Sequence, residues 1–235
     1  MSAEPILRVE NVSKRFAGRV ALSSVAIEVA RGSLTGVIGP NGSGKSTLFN
    51  IIAGTLRADE GRVAIEGRDI TRASAAEICG LGIARTFQIS RLFAEMTVLE
   101  NLVAVARGRD DRGAIDRALE LLDFLEIGAI AAKWASELSY GQRKLVEIAR
   151  ALMLDPRVML LDEPFAGINP RLQNRIVGHL KALCAQGLTV FFIDHEMRIV
   201  LAECDLVYVL AEGCVIARGD TETVRRDPRV LEAYF

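Results

Sequence analysis

A nine-residue run, GPNGSGKST from Gly39 to Thr47, constrains the fold of this chain more than any other part of its sequence. It fits the pattern Gly-x-x-x-x-Gly-Lys-Ser/Thr, whose glycines let the backbone curve so that several N–H groups converge on one point. The apolar run Leu34–Ile38 precedes it and the periodic segment Ser46–Ala53 follows it, which predicts strand, loop and helix. Because such a loop at a helix N-terminus binds phosphate, the sequence predicts an α/β protein built around a phosphate-binding loop.

The composition is that of an ordinary globular chain. Its 235 residues carry 29 Lys and Arg against 30 Asp and Glu, a formal charge of −1, and 50% of them are hydrophobic. The near balance of charge argues against a broad basic surface, so we expect no nucleic-acid partner. The N-terminal sequence lacks the features of a signal peptide, and no apolar run approaches the roughly 18 residues of a membrane span. We expect a cytosolic protein, or one that another protein holds at a membrane.

The cysteines predict neither a metal centre nor a disulfide framework. They lie far apart, form no Cys-x-x-Cys pair, and share the chain with only 2 histidines. Isolated thiols of this kind are expected to be small buried hydrophobic groups in a reducing compartment. The four positions are Cys79, Cys184, Cys204 and Cys214.

Apolar patterns elsewhere predict a mixed sheet wrapped by helices. Ile6–Val12 and Val25–Val29 alternate apolar with polar residues, as half-buried antiparallel strands do. The continuous apolar runs Val158–Leu161 and Thr189–Ile193 are typical of buried parallel strands. The remaining predicted elements are a helix over Pro170–Ala185, a hairpin of Leu206–Leu210 with Cys214–Arg218, and a final helix over Thr221–Phe235.

The middle of the chain has a different pattern. Thr97–Arg107, Ile115–Leu125 and Gly141–Leu154 all place apolar residues three and four apart, which predicts helices. We therefore expect one α/β domain, residues 1–235, with a mixed-sheet core from residues 1–88 and 155–235 and an N-terminal antiparallel β subdomain. Residues 89–154 form its helical insertion.

The glycine-rich loop supplies the first candidate ligands. The N–H groups of residues 41–46 are expected to turn toward a phosphate, and the Lys45 ammonium to span the β- and γ-phosphates of a nucleotide. The Ser46 hydroxyl is expected to bind Mg²⁺. The predicted nucleotide-binding residues of the loop are Asn41, Gly42, Ser43, Gly44, Lys45, Ser46 and Thr47.

Two carboxylates supply the chemistry that phosphoryl transfer needs. Asp162 and Glu163 directly follow the strand Val158–Leu161, and α/β sheets bind ligands at the carboxyl ends of their strands. We assign Asp162 to holding Mg²⁺ and Glu163 to polarising the attacking water.

Two further polar residues end apolar segments. His195 follows the run Thr189–Asp194, and we assign it a contact with the γ-phosphate. Gln88 ends another apolar stretch and leads into the helical insertion, so its amide oxygen is a candidate Mg²⁺ ligand when nucleotide is present.

Taken in order, these motifs resemble those of the ATP-binding cassette family over essentially the whole chain. The string LSYGQ, Leu138 to Gln142, is similar to the family signature Leu-Ser-Gly-Gly-Gln. The resemblance implies a phosphate-loop ATPase that uses ATP and Mg²⁺. It also implies catalytic roles for Lys45, Glu163 and His195.

The resemblance further implies a head-to-tail dimer in which each ATP lies between one subunit's phosphate loop and the other's signature helix. Ser139, Gly141 and Gln142 would then contact the γ-phosphate, since N–H groups at a helix start form an anion site. Phe16 would stack on the adenine, with Val20 beside the ring.

Two residues depart from the family pattern. Tyr140 stands where the signature has glycine, and Asn169 stands where a later loop has aspartate. Both are typical of the ATPases of branched-chain amino-acid importers. The chain resembles these over Ala84–Leu102, Leu138–Leu152, Leu161–Pro170 and Asp194–Asp205. This subgroup implies membrane-spanning permease subunits, a second cassette and, indirectly, a solute-binding protein as partners. It also implies a peripheral position on the cytoplasmic face of the plasma membrane.

Other functions are compatible with the same motifs. Similar subunits serve the uptake of urea, amides or organic acids. Non-transport cassettes act on nucleic acid, on chromosomes or in translation, but they need a long coiled coil, a zinc module or two cassettes in one chain. A nucleotide-binding regulator without turnover is disfavoured by Glu163. In a transporter, a short helix of the membrane partner is expected to dock near Ser90–Leu99.

Overall fold

The chain, in a computed structural model, is described over residues 4–86, 91–195 and 197–234. Its elements in chain order are β1 (Pro5–Phe16), β2 (Arg19–Ala30), β3 (Leu34–Ile38), α1 (Lys45–Ile52), β4 (Glu60–Ile65), β5 (Arg68–Asp69), α2 (Ala75–Gly80), β6 (Ile83–Arg85), α3 (Val98–Val103), α4 (Asp111–Phe124), α5 (Tyr140–Leu152), β7 (Val158–Asp162), α6 (Pro170–Ala185), β8 (Thr189–Ile193), α7 (Met197–Glu203), β9 (Leu206–Ala211), β10 (Cys214–Gly219), α8 (Thr221–Arg226) and α9 (Pro228–Tyr234). Two 3₁₀ turns, Gly128–Ile130 and Ala135–Glu137, precede α5.

The N-terminal strands form an antiparallel sheet in the order β2-β1-β4-β5. Val9 faces Ile27 on β2 and Val63 on β4, and all three side chains are buried. The alternation of buried and exposed residues along β2 is the pattern of a sheet with one face in the core. The predicted antiparallel β subdomain is confirmed, with both strands of its first hairpin longer than expected.

The second sheet is mixed and has the strand order β10-β9-β3-β8-β7-β6. The strands from β9 to β6 run parallel to their neighbours, and β10 closes the edge as an antiparallel hairpin strand. All residues of β3, β7 and β8 are buried, as their continuous apolar sequences predict. The α/β fold with a mixed-sheet core is therefore confirmed.

Helices cover both faces of this mixed sheet. Phe191 and Phe192 are consecutive residues of β8, so their side chains lie on opposite faces, and both are fully buried. The Phe191 ring lies 5.1 Å from that of Phe49 on α1, and the Phe192 ring lies 5.4 Å from that of Phe165. Each such buried side chain stabilises the fold by about 1.5–3 kcal/mol. This packing fixes α1, and with it the glycine-rich loop, against the sheet.

In the middle of the chain, α3 and α5 are shorter than the predicted helices and α4 is longer. α3, α4 and α5 pack against one another, and Leu102, Leu122 and Val146 are buried where they meet. Helix α4 begins earlier than expected because the Asp110 side chain accepts a hydrogen bond from Gly113 N–H and caps it.

Two sequence expectations are wrong. The helix predicted over Thr221–Phe235 is broken into α8 and α9 at Asp227, whose extended backbone is favoured by the following proline, Pro228. The expectation that the cysteines are buried is wrong, because Cys79, Cys184 and Cys204 are partly exposed and Cys214 on β10 is exposed. All four are free thiols, and burial raises the pKa of Cys184 to about 11.

Candidate active site

The glycine-rich loop connects the end of β3 to the start of α1, as the sequence predicts. Two of its glycines are required by close contacts. A Cβ atom at Gly39 would lie 2.0 Å from the Leu210 carbonyl oxygen, and one at Gly44 would lie 2.5 Å from the Ala21 carbonyl oxygen. Gly44 also has φ +107°, a conformation that favours glycine.

The start of α1 presents backbone donors at this loop. Its first hydrogen bonds include that of Leu48 N–H to the Gly44 carbonyl, and a helix leaves the N–H groups before this point without partners inside the helix. The Ser43 hydroxyl oxygen is buried in the same loop and has no hydrogen-bond partner within the described residues. The loop therefore offers several donors to an anionic group, which is what a phosphate requires.

The Lys45 side chain is folded back into the loop. Its ammonium donates hydrogen bonds to the carbonyl oxygens of Gly39, at 2.7 Å, and Pro40, at 3.0 Å. Burial lowers the pKa of Lys45, while Glu163, Asp194 and Asp162, in order of decreasing effect, act in the opposite direction. Lys45 thus lies within electrostatic reach of three carboxylates, two of which the sequence predicts to share its site.

The strand registers bring these groups to one edge of the sheet. β8 lies between β3 and β7, and its Ile193 is level with Val37 on one side and Asp162 on the other. All three strands run in the same direction, so the glycine-rich loop, Glu163 and His195 leave the sheet at the same edge.

Asp162 ends β7 in a nearly buried position. Its carboxylate oxygen Oδ2 lies 3.0 Å from Arg85 Nη2, and its N–H donates to the Thr86 hydroxyl at 3.4 Å. Arg85 also donates through Nη1 to Asn50 Oδ1 on α1, at 2.7 Å. Sequence analysis missed Arg85 because its partner is 77 positions away and strand order alone brings them together.

Glu163 follows in a left-handed backbone conformation, with φ +49°. Its N–H donates to the Ile193 carbonyl at 2.8 Å, which holds the turn against β8. Its Oε1 lies 3.8 Å from His195 Nδ1, and the His195 side chain is half exposed. A non-glycine residue with positive φ costs about 1–3 kcal/mol, and such strain clusters at functional sites.

Asp194 is a further acid that the sequence analysis passed over. It is fully buried, and its Oδ2 accepts a hydrogen bond from Phe165 N–H at 3.0 Å. Its Oδ1 accepts from His195 N–H at 2.8 Å and lies 3.7 Å from His195 Nδ1. Asp194 therefore connects the turn after Glu163 to the backbone of His195. In the sequence, the position of Asp194 between an apolar strand and a histidine is the feature that could have indicated this role.

The signature residues lie at the start of α5. Ser139 caps this helix, with its hydroxyl accepting from Gln142 N–H at 3.3 Å and its own N–H donating to Gln142 Oε1 at 2.9 Å. The Gln142 N–H is thus already bonded. A Cβ atom at Gly141 would lie 2.4 Å from Leu172 Cδ2, so only glycine fits between α5 and α6 without rearrangement.

The signature is separate from the glycine-rich loop of the same chain. α5 packs against α3, α4 and β6, and β6 is separated from β3 by two strands, β7 and β8. With strands about 4.8 Å apart, β6 lies about 14 Å from β3.

The two predicted adenine contacts lie at the turn between β1 and β2. Phe16 and Val20 are both about half exposed, and Lys14 Nζ lies 5.6 Å from the centre of the Phe16 ring. Ala21, next to Val20, makes the close approach to Gly44. Val20 therefore lies one residue from the wall of the glycine-rich loop.

The remaining predictions concern Asn169 and Gln88. Asn169 caps α6 by accepting a hydrogen bond from Leu172 N–H at 3.0 Å. Gln88 lies outside the described residues.

Within residues 4–86, 91–195 and 197–234, no helix has the length and apolar character that crossing a bilayer requires. No cluster of three or more histidine, cysteine or acidic side chains there is arranged to hold a metal ion. A single carboxylate with a hydroxyl suits Mg²⁺, which keeps several waters and binds mainly substrate phosphates.

Comparison with known proteins gives a family for this geometry. The sequence model of the family described as "ABC transporter" matches residues 22–166. The probable branched-chain amino acid transport ATP-binding protein LivG of Archaeoglobus fulgidus is 42% identical, with 98% of this chain and 95% of the relative covered. The protein of the same name from Methanocaldococcus jannaschii is 43% identical, with 98% and 97% covered.

Solved structures agree with the sequence relatives. The ADP conformation of MJ1267, an ATP-binding cassette of an ABC transporter, has a TM-score of 0.90 at 43% identity, with 99% of both chains covered. The dimeric structure of MJ0796, a bacterial ABC transporter cassette, has a TM-score of 0.83 at 29% identity, with 92% of this chain and 98% of that chain covered.

Proposed function

The chain belongs to the ABC transporter family as an ATP-binding, ATP-hydrolysing subunit, and we propose that it powers the import of branched-chain amino acids through membrane-spanning permease subunits. The observation that carries the proposal is the meeting of the glycine-rich loop, Asp162, Glu163 and His195 at one sheet edge, in a chain 42–43% identical to two LivG proteins.

The proposed roles follow from where each group lies. The loop N–H groups of residues 41–47 bind the phosphates of ATP, and Lys45 exchanges its two loop carbonyls for the β- and γ-phosphate oxygens. Ser46 and Asp162 hold Mg²⁺, joined by Gln88. Bound there, Mg²⁺ would neutralise developing charge on the phosphate oxygens.

Glu163 and His195 are the proposed hydrolytic pair. Glu163 orients and polarises the attacking water, because its carboxylate leaves the sheet edge beside the loop. His195 hydrogen-bonds the γ-phosphate, with its backbone held by Asp194. The strained backbone at Glu163 supports this role, because such strain clusters at functional sites.

A second cassette, identical or paralogous, completes each site. The packing of the signature helix α5 on β6, three positions from β3 in the sheet, supports this. In the dimer, Ser139 and Gly141 bind the γ-phosphate from the opposite side, and Phe16 and Val20 pack on the adenine. A dimeric cassette is among the similar structures, which supports dimerisation.

The helical subdomain, residues 89–154, transmits closure to the permease. Two hydrogen bonds from this subdomain to the backbone of Arg91 support the coupling. Glu147 Oε1 accepts a hydrogen bond from Arg91 N–H at 3.2 Å, and Arg150 Nη1 donates one to the Arg91 carbonyl oxygen at 2.7 Å. Both side chains belong to the signature helix α5, so movement of that helix displaces the backbone at Arg91. The half-exposed Phe93 ring, with the Arg150 guanidinium 5.6 Å from its centre, lies in the proposed docking region Ser90–Leu99.

The protein is then peripheral, on the cytoplasmic face of the plasma membrane, and a solute-binding protein selects the substrate from outside. Reconstitution with its permease tests the function: vesicles that accumulate labelled leucine only with ATP would support it. Accumulation of urea, an amide or an organic acid in place of leucine would retain the ATPase and reject the substrate.

A further inference from the structure

A cavity of about 510 Å³ lies among α7, α8 and α9, outside the site just described. Its lining is mainly apolar and includes Met197, Leu201, Val224 and Leu231. Volumes of roughly 300–1,000 Å³ with a few polar groups are typical of small-molecule sites. The Leu231 side chain is half exposed.

Two cations line the same cavity. Arg198 on α7 and Arg225 on α8 are exposed, and neither makes an ion pair or hydrogen bond with any described residue. An apolar cavity bordered by two exposed guanidinium groups is complementary to a ligand with one anionic end.

Two acids on the same helices as these arginines pair with other cations. Glu203 on α7 pairs with Lys181 at 2.6 Å, and Glu222 on α8 pairs with Arg226 at 2.7 Å. Neither Glu203 nor Glu222 is therefore the partner of Arg198 or Arg225.

Tyr234 on α9 adds a hydrogen-bond donor. It lines the cavity, and its hydroxyl oxygen is buried without a partner within the described residues. Burial raises the pKa of Tyr234 to about 12, so the hydroxyl keeps its proton at neutral pH. A buried hydroxyl without a partner is costly, and a ligand oxygen would remove that cost.

We propose that this cavity binds a small monocarboxylate with an apolar tail. The tail lies among Met197, Leu201 and Leu231, and the carboxylate pairs with Arg198 and Arg225 and accepts a hydrogen bond from Tyr234. An ammonium group is disfavoured by the two arginines, so a free amino acid fits less well than a carboxylate without one. A medium-chain fatty acid and a branched 2-oxo acid share the required chemistry.

Isothermal titration calorimetry on the full chain tests the proposal, with octanoate below its micelle concentration as the probe. We expect saturable octanoate binding and no binding of octylammonium, which has the same tail and the opposite charge. Titration with 4-methyl-2-oxopentanoate separates the two sources, because tighter binding than octanoate assigns the branched 2-oxo acid and weaker binding assigns the fatty acid.

Variants locate the site. Arg198→Gln with Arg225→Gln is expected to weaken octanoate binding at least about tenfold, as is typical for the loss of charge-assisted hydrogen bonds. Tyr234→Phe is expected to weaken it less. The matched control is Arg226→Gln, which removes an arginine of the same helix that does not line the cavity.

Arg198, Arg225 and Arg226 are exposed. We therefore expect the melting temperatures of the arginine variants to match that of the unchanged protein. Absence of octanoate binding, equal binding of octylammonium, or equal affinity in the double arginine variant would each overturn the proposal.

Discussion

Arg85 Nη2 lies 3.0 Å from Asp162 Oδ2, and the same guanidinium reaches Asn50 on α1 at 2.7 Å. Both members of the ion pair are nearly buried, with side chains 10% and 7% exposed. The pair therefore fixes the proposed metal-binding carboxylate relative to the helix that follows the phosphate loop. It also connects that carboxylate to the strand that leads to Gln88.

Replacing Arg85 should lower the free energy of unfolding. Arg85→Met leaves Asp162 as a buried carboxylate without this cation, and breaking a buried pair typically costs about 3–5 kcal/mol. Urea denaturation measures the free energy of unfolding. Arg62→Met is the control, because the Arg62–Asp69 pair is about half exposed and water screens it, so its removal should lower the free energy of unfolding much less. An equal loss in the free energy of unfolding of the two variants would show that the buried Arg85 pair contributes no more to stability than the exposed pair.

Glu163→Gln should remove hydrolysis and keep ATP binding. The amide matches the carboxylate in shape but cannot act as a base, and general-base catalysis contributes about 10²–10⁴-fold. Phosphate release measures turnover, and size-exclusion chromatography with ATP should show a trapped dimer. Glu203→Gln, which alters a partly exposed acid paired with Lys181, is expected to leave turnover unchanged. Undiminished hydrolysis in Glu163→Gln would reject the proposed role.

Lys45→Ala should abolish measurable ATP affinity. The change removes the cation that is proposed to bind the β- and γ-phosphates, and the two loop carbonyls at 2.7 and 3.0 Å lose their donor. Calorimetric titration with ATP checks this. The control Lys181→Ala removes a lysine of α6 that pairs with Glu203. ATP binding that survived Lys45→Ala would contradict the loop's proposed contact with phosphate.

Two glycines should respond in opposite ways to alanine. Gly39→Ala places a Cβ 2.0 Å from the Leu210 backbone, so the loop must shift and stability should fall by about 1–3 kcal/mol. Gly178→Ala, within α6 and with open space around it, should stabilise the fold by about 0.5–1 kcal/mol. Thermal unfolding of both variants measures the difference, and a Gly39→Ala protein as stable as Gly178→Ala would refute the close contact.

His179 should contribute a pH dependence to stability. Burial lowers the pKa of His179 on α6, against an opposing effect of Glu126, so the unfolded chain binds a proton more readily than the folded one. The stabilising contribution of the neutral ring is therefore present above about pH 6.5 and is lost as the pH falls below it. In urea denaturation at pH 7.5 and 5.5, His179→Phe should lose less stability than the unchanged protein. An equal loss would exclude this residue as the cause.

Local sequence patterns were sufficient to predict the bounds of a fully buried strand and of a capped helix. The uninterrupted apolar run Leu34–Ile38 and the helix Pro170–Ala185, which has its cap at Asn169, both form with the predicted bounds. The loop and the acids after β7 could be placed at one edge because parallel strands align their carboxyl ends.

Long-range pairing could not be predicted in this way. The contact of Arg85 with Asp162 depends on β6 pairing with β7, and no local pattern encodes which strands become neighbours. The break at Asp227 depends on Pro228, which disfavours a helical backbone in the residue before it although apolar residues keep helical spacing on either side. The capping bond between Ser139 and Gln142 was missed because the signature was interpreted as an anion site alone.

A crystal structure of the Glu163→Gln protein with ATP and Mn²⁺, in which anomalous scattering locates the metal, tests the central claim most directly. The account predicts one metal peak per chain about 2–2.5 Å from the Ser46 hydroxyl oxygen and within about 5 Å of the Asp162 carboxylate, directly or through one water. It also predicts that Lys45 contacts the terminal phosphates. A metal peak and triphosphate bound away from Asp162, with the glycine-rich loop empty, would contradict it.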